Sequence, residues 1–344
     1  MDKVKWGVIG CGGIANTRTI PGMLLAENAT LVAVMDIDAS LAEQVGKKYE
    51  VPFVCDSVDV ILAQDIDAVY IATPVFCHKE QAIAAMRAGK HILIEKPVGL
   101  TVEEVKELRD IAQQENVKIG VGMMMRFHTY HQKMKEIIAA GKMGDIVSMR
   151  AQFTCWYPEI KGSWRQIKKL SGGGALIDLG VHAIDLLQYV SGLTASGICA
   201  MCDTQTFQYE VDDSASLLLK MNNGAHAYVD VNFNIPDEAV KSRLEIYGTK
   251  GSLIADDTLS QVEDGSARIT LLEEADQEQE NSVVNSYFLE SAKGNMYTKE
   301  IESFSYAVMN DTKPAVSIED AIVVQQITEA AYCSSETGRY VALK

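Results

Sequence analysis

Residues 4–15 read Val-Lys-Trp-Gly-Val-Ile-Gly-Cys-Gly-Gly-Ile-Ala, and they constrain this chain more than any other stretch. An apolar run with the character of a buried strand passes directly into Gly10-x-Gly12-x-x-Ala15, and a helical pattern follows over residues 15–26. A second apolar run, residues 31–35, ends at Asp36, which lies 21 residues beyond Ala15. Strand, glycine turn, helix and distal acid together form the dinucleotide-binding fingerprint. Gly10 permits the tight turn, Gly12 lets the backbone approach a pyrophosphate, and Ala15 allows helix to pack closely on strand. Gly13 and Ile14 complete the turn and open the helix, whose N-terminus presents unpaired N–H groups and a positive dipole end to phosphate.

Asp36 bears on which dinucleotide binds. A carboxylate there accepts hydrogen bonds from the ribose hydroxyls of NAD and repels the 2′-phosphate of NADP. The residues that follow, Ile37-Asp38-Ala39-Ser40, include no Arg or Lys to receive that phosphate. NAD is therefore the expected cofactor.

The chain of 344 residues has room for two domains, and a formal net charge of −16 argues against a nucleic acid or an anionic membrane as partner. No apolar span stands out as long enough to cross a bilayer, and the first strand begins too early to leave room for a signal peptide. Seven cysteines, at 11, 55, 77, 155, 199, 202 and 333, are scattered through apolar runs; this odd count favours reduced thiols and a cytoplasmic setting. Cys199 and Cys202 form a C-x-x-C on a strand-like run with no second pair, so they read as strand residues rather than a redox or zinc site.

Up to about residue 124 strand and helix patterns alternate. Strands are expected at 4–9, 31–35, 68–72, 91–94 and 118–121, and helices at 15–26, 40–48, 79–88 and 102–114. Thr101-Val102-Glu103-Glu104 is a capping box and Gly89 a helix stop. This alternation predicts an α/β Rossmann unit, a doubly wound parallel sheet, over residues 1–124. Residues 125–344 change character. A helix at 130–140 precedes long alternating runs at 146–156, 197–207, 214–221, 225–234, 242–247 and 267–272. Hairpin signals stand at Asn222-Asn223-Gly224 and Thr249-Lys250-Gly251. An α+β domain with a large, mostly antiparallel sheet is expected, closed by helices at 298–309 and 319–334. The acidic stretch 273–281 reads as a solvated loop.

Two further clusters carry chemistry. Glu95-Lys96-Pro97 directly follows a strand of the parallel sheet, and ligands bind beyond the carboxyl ends of such strands. Lys96 is placed to share in proton transfer. Gly172-Gly173-Gly174 leads into a segment holding Asp178 and His182, four apart and on one face if helical. A histidine titrates near neutrality and can serve as base toward a substrate hydroxyl. His128 and His131 are three apart, but no cysteine or carboxylate set accompanies them. They read as surface histidines, and no metal site is expected.

With these residues in view, the chain resembles the glucose–fructose oxidoreductase/inositol dehydrogenase (Gfo/Idh/MocA) family from end to end. The likeness rests on the glycine fingerprint, Thr73-Pro74 followed by His78, Glu95-Lys96-Pro97, and Gly173-Gly174-Ala175 leading to Asp178-Leu179-Gly180-x-His182. The Tyr247-Gly248-Thr249-Lys250-Gly251-Ser252 turn matches as well. The resemblance implies a nicotinamide-dependent oxidoreductase of a sugar, polyol or related carbohydrate, with Lys96, Asp178 and His182 catalytic. It also implies cofactor contacts at Thr73, Pro74, His78 and Glu95, at Arg126 of an Arg-Phe pair, and at Trp164-Arg165, a pair found in 1,5-anhydrofructose reductase-like members. Val75 departs from the asparagine that many members carry after Thr-Pro. Two alternatives stay open: a glycosidase-like member that retains NAD and acts by transient oxidation and elimination, and a non-catalytic NAD sensor. A broad sheet with one face to cover predicts a homodimer or homotetramer.

Overall fold

The computed structural model describes residues 3–240, 242–273, 283–290 and 294–343. The chain divides into two compact units. The first comprises residues 1–124, 169–172 and 295–325, and the second comprises 125–168, 173–294 and 326–344.

The first unit is an α/β fold around six parallel strands: β1 (Val4–Ile9), β2 (Ala29–Met35), β3 (Phe53–Cys55), β4 (Ala68–Ile71), β5 (His91–Glu95) and β6 (Ile119–Gly122), in the order β3-β2-β1-β4-β5-β6. Strand order reverses at β1, between β2 and β4, which opens the ligand crevice of a doubly wound sheet at that point. The central strands are apolar on both faces because helices cover both; β4 and β6 are buried throughout. Helix ends follow the side-chain chemistry: Asp38 caps Ala39–Lys48, Thr101 caps Val102–Gln114, and Glu104 reaches back to the Leu100 N–H. The expected single helix over 15–26 is in fact a π-helical turn, Ala15–Thr19, followed by an α-helix, Ile20–Leu25. Pro21, which has no N–H to give, stands just after the change of register.

The helix Met296–Met309 belongs to this unit. The Trp6 indole donates to Ser305 Oγ at 3.1 Å, and the Trp6 and Phe304 rings lie 5.6 Å apart. Gly120 is needed where that helix crosses β6, because a Cβ there would lie 2.6 Å from the Phe304 ring.

The second unit is built on nine strands: β7 (Ile146–Thr154), β8 (Ala195–Asp203), β9 (Ser214–Met221), β10 (His226–Asn232), β11 (Arg243–Gly248), β12 (Gly251–Asp256), β13 (Ser266–Glu273), β14 (Val283–Phe288) and β15 (Val341–Ala342). Their order is β14-β13-β12-β11-β7-β10-β9-β8-β15, and every pairing except β7 with β10 is antiparallel. Both hairpin signals fall where expected, joining β9 to β10 and β11 to β12. Strict alternation along β9 gives one face buried under helices, while Leu218 on β9 and Tyr228 on β10 stay exposed on the other. The acidic stretch lies outside the described residues, apart from Glu273 at the end of β13.

One expectation is corrected. The helical stretch Lys168–Ser191 is long and apolar enough by length and composition to cross a membrane, but 83% of that window is buried inside the protein. Its apolarity is that of a core helix.

Candidate active site

In the first unit the glycine turn is built for a ligand. Gly10 has φ +95°, and a Cβ on it would lie 2.9 Å from Thr73 N, so no other residue fits. Nothing lies within 4 Å of a Cβ built on Gly12 or Gly13, so a pyrophosphate can approach the backbone there. Asp36 closes the turn: one carboxylate oxygen accepts from Cys11 N at 2.7 Å and the other from Asp38 N at 3.0 Å. A carboxylate offers about four acceptor sites, so roughly two stay available to ribose hydroxyls. The neighbouring Ile37 is 89% exposed, an apolar surface next to that carboxylate. The residues therefore fit a dinucleotide. Cys11 is buried, and burial with the adjacent Asp36 charge pushes its thiol up to about 12, so it takes no part as a thiolate.

The loops after β4 and β5 gather the next predicted residues. Thr73 Oγ1 donates to Gln81 at 2.5 Å, and Pro74 stands at the start of the helix Val75–Arg87. His78 is 1% exposed, its ring nitrogens 2.8 Å from Thr73 O and 3.0 Å from Pro97 O, so it ties the two loops together. Burial lowers its pKa to about 4. In that position His78 braces the loops after β4 and β5. Lys96 is half-buried at the carboxyl end of β5, beyond Glu95. Glu95 accepts from the Tyr70 hydroxyl, which itself accepts from Thr19 at 2.9 Å. Beneath them lies Glu300, on the helix Met296–Met309 and 2% exposed; burial and the nearby Glu95 hold its carboxyl well above the usual range. No sequence signal marked Glu300, because a lone glutamate in an amphipathic helix reads as surface.

In the second unit, Asp178 lies in a π-helical turn, Leu176–Gly180, and His182 opens the α-helix Val181–Ser191 that continues it. π-turns are rare and concentrate at functional sites. Asp178 is half-buried and His182 is 4% exposed, its ring edge-on to Phe153 of β7 at 6.4 Å. The start of this segment is held by Asp212. Its carboxylate accepts from Gly174 N, Leu176 N and the Tyr332 hydroxyl, each at 2.8 Å, and its carbonyl accepts from Ala175 N at 2.8 Å. Gly173 and Gly174 are required because a Cβ on either would collide with Tyr332 or the Asp212 carbonyl.

Further along, Asp185 forms a buried two-pronged ion pair with Arg126, whose Nε and Nη2 lie 2.8 and 2.5 Å from its carboxylate oxygens. Arg126, predicted to touch the cofactor, is 9% exposed and anchors this helix. Trp164 and Arg165 sit on a 3₁₀ turn with the guanidinium 4.5 Å from the indole centre. His128 and His131 are not at the surface: both are 0% exposed. His131 bridges Met125 O and Thr258 Oγ1 at 2.7 and 3.0 Å, and burial lowers its pKa to about 3. Their spacing belongs to the core, and no group of three or more metal-ligating side chains occurs among the described residues.

The glycine turn at the switch point of a covered parallel sheet defines a Rossmann unit. Residues 4–123 match the model of the oxidoreductase family with an NAD-binding Rossmann fold, and residues 131–254 match the GFO/IDH/MocA C-terminal domain. The chain is 30% identical over 264 residues to a glucose-6-phosphate 3-dehydrogenase of Bacillus subtilis, with 72% of each protein covered. It is 27% identical to a 1,5-anhydro-D-fructose reductase of Ensifer adhaerens, with 92% of each covered. Its fold is that of a levoglucosan dehydrogenase solved with NADH and L-sorbose, at a TM-score of 0.88 and 24% identity over the full length of both chains. This chain belongs to the GFO/IDH/MocA family of oxidoreductases.

Proposed function

We propose that the protein is an NAD-dependent dehydrogenase or reductase, cytoplasmic, acting on the alcohol/ketone pair of a sugar, polyol or glycoside. The observation that carries this reading is the turn from Gly10 to Asp36, open above Gly12 and Gly13 and closed by a carboxylate with acceptor capacity in reserve. The relatives named for sugar substrates support the carbohydrate class.

NAD, when bound, supplies the hydride acceptor for the carbinol carbon. His182 takes the hydroxyl proton as base. Lys96 donates to a substrate oxygen and offsets the negative charge that grows on it. Asp178 orients one of these two groups and accepts from a neighbouring hydroxyl. In reduction the roles reverse. Gly12, Gly13 and Ile14 hold the pyrophosphate, and Asp36 the adenosine ribose.

The test is a panel of sugars, polyols and glycosides assayed for NADH formation with wild type, His182→Ala and Asp36→Ser. Wild type should show the higher kcat/KM with NAD than with NADP, and Asp36→Ser should narrow that gap. His182→Ala should lose about 10²–10⁴-fold in kcat with NAD affinity nearly unchanged. A wild-type preference for NADP overturns the cofactor assignment. Tight NAD binding with no turnover of any carbohydrate replaces the enzyme with a sensor.

A further inference from the structure

The loop after β8 and the segment after β7 mount a row of aromatic rings that core packing does not require. Trp156 is 43% exposed, and the Phe207 ring meets it edge-on at 5.2 Å. Tyr209 stacks on Phe207 at 5.4 Å and 29°, and its hydroxyl donates to Tyr157 O at 3.3 Å. Exposed loop aromatics are usually loosely held, but these are fixed. Asp213, 0% exposed, accepts from Gln205 N, Thr206 N and Phe207 N at 2.8, 2.8 and 2.9 Å, and from Asn234 Nδ2 at 3.1 Å. On the other side Trp156 N donates to Asp237 at 2.9 Å, and Trp156 bridges to Asn234. A fully buried carboxylate that binds three successive N–H groups of a surface loop is a device for pre-organising what the loop displays. Around the rings stand the exposed polar side chains of Gln205, Thr206 and Gln208.

An apolar aromatic face rimmed by hydrogen-bonding groups matches a pyranose, whose axial C–H bonds make one face apolar and whose edge carries hydroxyls. Phe153, which packs against His182, precedes Trp156 by three residues, at most about 10 Å of extended chain. Two linked sugar rings can bridge a gap of up to about that size. We infer that Trp156 and Phe207 form a subsite for a second sugar ring, so that the substrate is a glycoside or oligosaccharide rather than a free monosaccharide. This deepens the proposed carbohydrate oxidoreductase activity and rests on it.

The test measures, in the presence of NAD, the ratio of kcat/KM for cellobiose and maltose to that for glucose. Wild type should favour a disaccharide. Trp156→Ala and Phe207→Ala should lower the ratio roughly three- to tenfold through KM, and Trp156→Phe should restore most of it. Independently, titration of the NAD complex with the preferred disaccharide should shift the tryptophan emission of wild type but not of Trp156→Phe. A ratio unmoved by Trp156→Ala, or no emission change, overturns the subsite. A larger, equally Trp156-dependent preference for p-nitrophenyl glucoside over both disaccharides overturns the second sugar in favour of an aromatic aglycone. If wild type oxidises no sugar, the activity is wrong, and the emission titration alone decides whether the rings bind a carbohydrate.

Discussion

Asp212 is the residue whose removal tests most directly how the segment carrying Asp178 and His182 is held. Its carboxylate receives two buried backbone N–H groups and a tyrosine hydroxyl, each at 2.8 Å. Asp212→Asn keeps the shape but turns an NH₂ against one N–H and halves the strength of the remaining bonds. A hydrogen bond to a charged group contributes about 1.5–3 kcal/mol, so losing one and weakening two should destabilise by about 3–5 kcal/mol. At about 2–4 °C per kcal/mol, the melting temperature should fall by at least about 6 °C. The catalytic effect should exceed the stability effect. At a temperature where the variant is fully folded, displacement of Asp178 and His182 by even about 1 Å should lower kcat on the order of 100-fold, with NAD affinity unchanged. Tyr332→Phe removes one donor and leaves the charge in place, so it should destabilise by about 1 kcal/mol and keep most activity. Calorimetry, NAD titration and steady-state rates decide the matter. An Asp212→Asn enzyme that melts within 2 °C of wild type, or turns over at the wild-type rate, refutes the clamp.

Asp185→Asn strands the Arg126 guanidinium in the core and should cost about 3–5 kcal/mol by urea titration, while Arg126→Met with Asp185→Leu should recover much of it. Recovery no better than either single variant would show that the pair does more than neutralise itself. His78 and His131 are held neutral by burial, with pKa values lowered to about 4 and about 3 against about 6.5 when unfolded. Their folded-state pKa is depressed, so the unfolded chain binds protons first: stability is full above about pH 6.5 and falls as pH drops from there toward about 4. A denaturation midpoint flat from pH 7 to 4.5, or a slope unchanged in His131→Gln, contradicts this. The open sheet face carries Leu218 opposite Tyr228, Tyr228 beside Arg150, and Arg150 opposite Glu245. It should pair with a second copy, and sedimentation of a stable monomer at micromolar concentration would rule that out.

What was legible in the sequence follows from the range of each signal. The glycine turn, the cap at Thr101 and the two hairpins depend on residues a few positions apart, and they fell where expected. The short strands β3 and β15 have too few residues to show a period, and β12 followed its hairpin with little alternation to mark it. The helix Met296–Met309 was legible as a helix, but its packing on β1 and β6 was not, because Trp6 and Ser305 meet across 299 residues. His128 and His131 were misplaced for the same reason: Thr258 and Asp264, which receive them, are far along the chain.

The carboxylates that organise the second unit share one property that hid them. Asp185, Asp212 and Asp213 are all nearly or fully buried, and their donors lie outside the local sequence window that a motif spans, as far as Tyr332 from Asp212. An aspartate pair in a strand-and-loop region otherwise reads as solvated charge. Their partners assign the work: Asp212 faces the start of the helix that carries Asp178 and His182, and Asp213 faces the loop that carries Phe207. Because the two are adjacent in the chain, the segment of Asp178 and His182 and the aromatic loop are held from one point of the backbone. Motif residues name the chemistry in this fold. Buried carboxylates outside the motifs hold the start of the segment that carries Asp178 and His182 and the loop that carries Phe207.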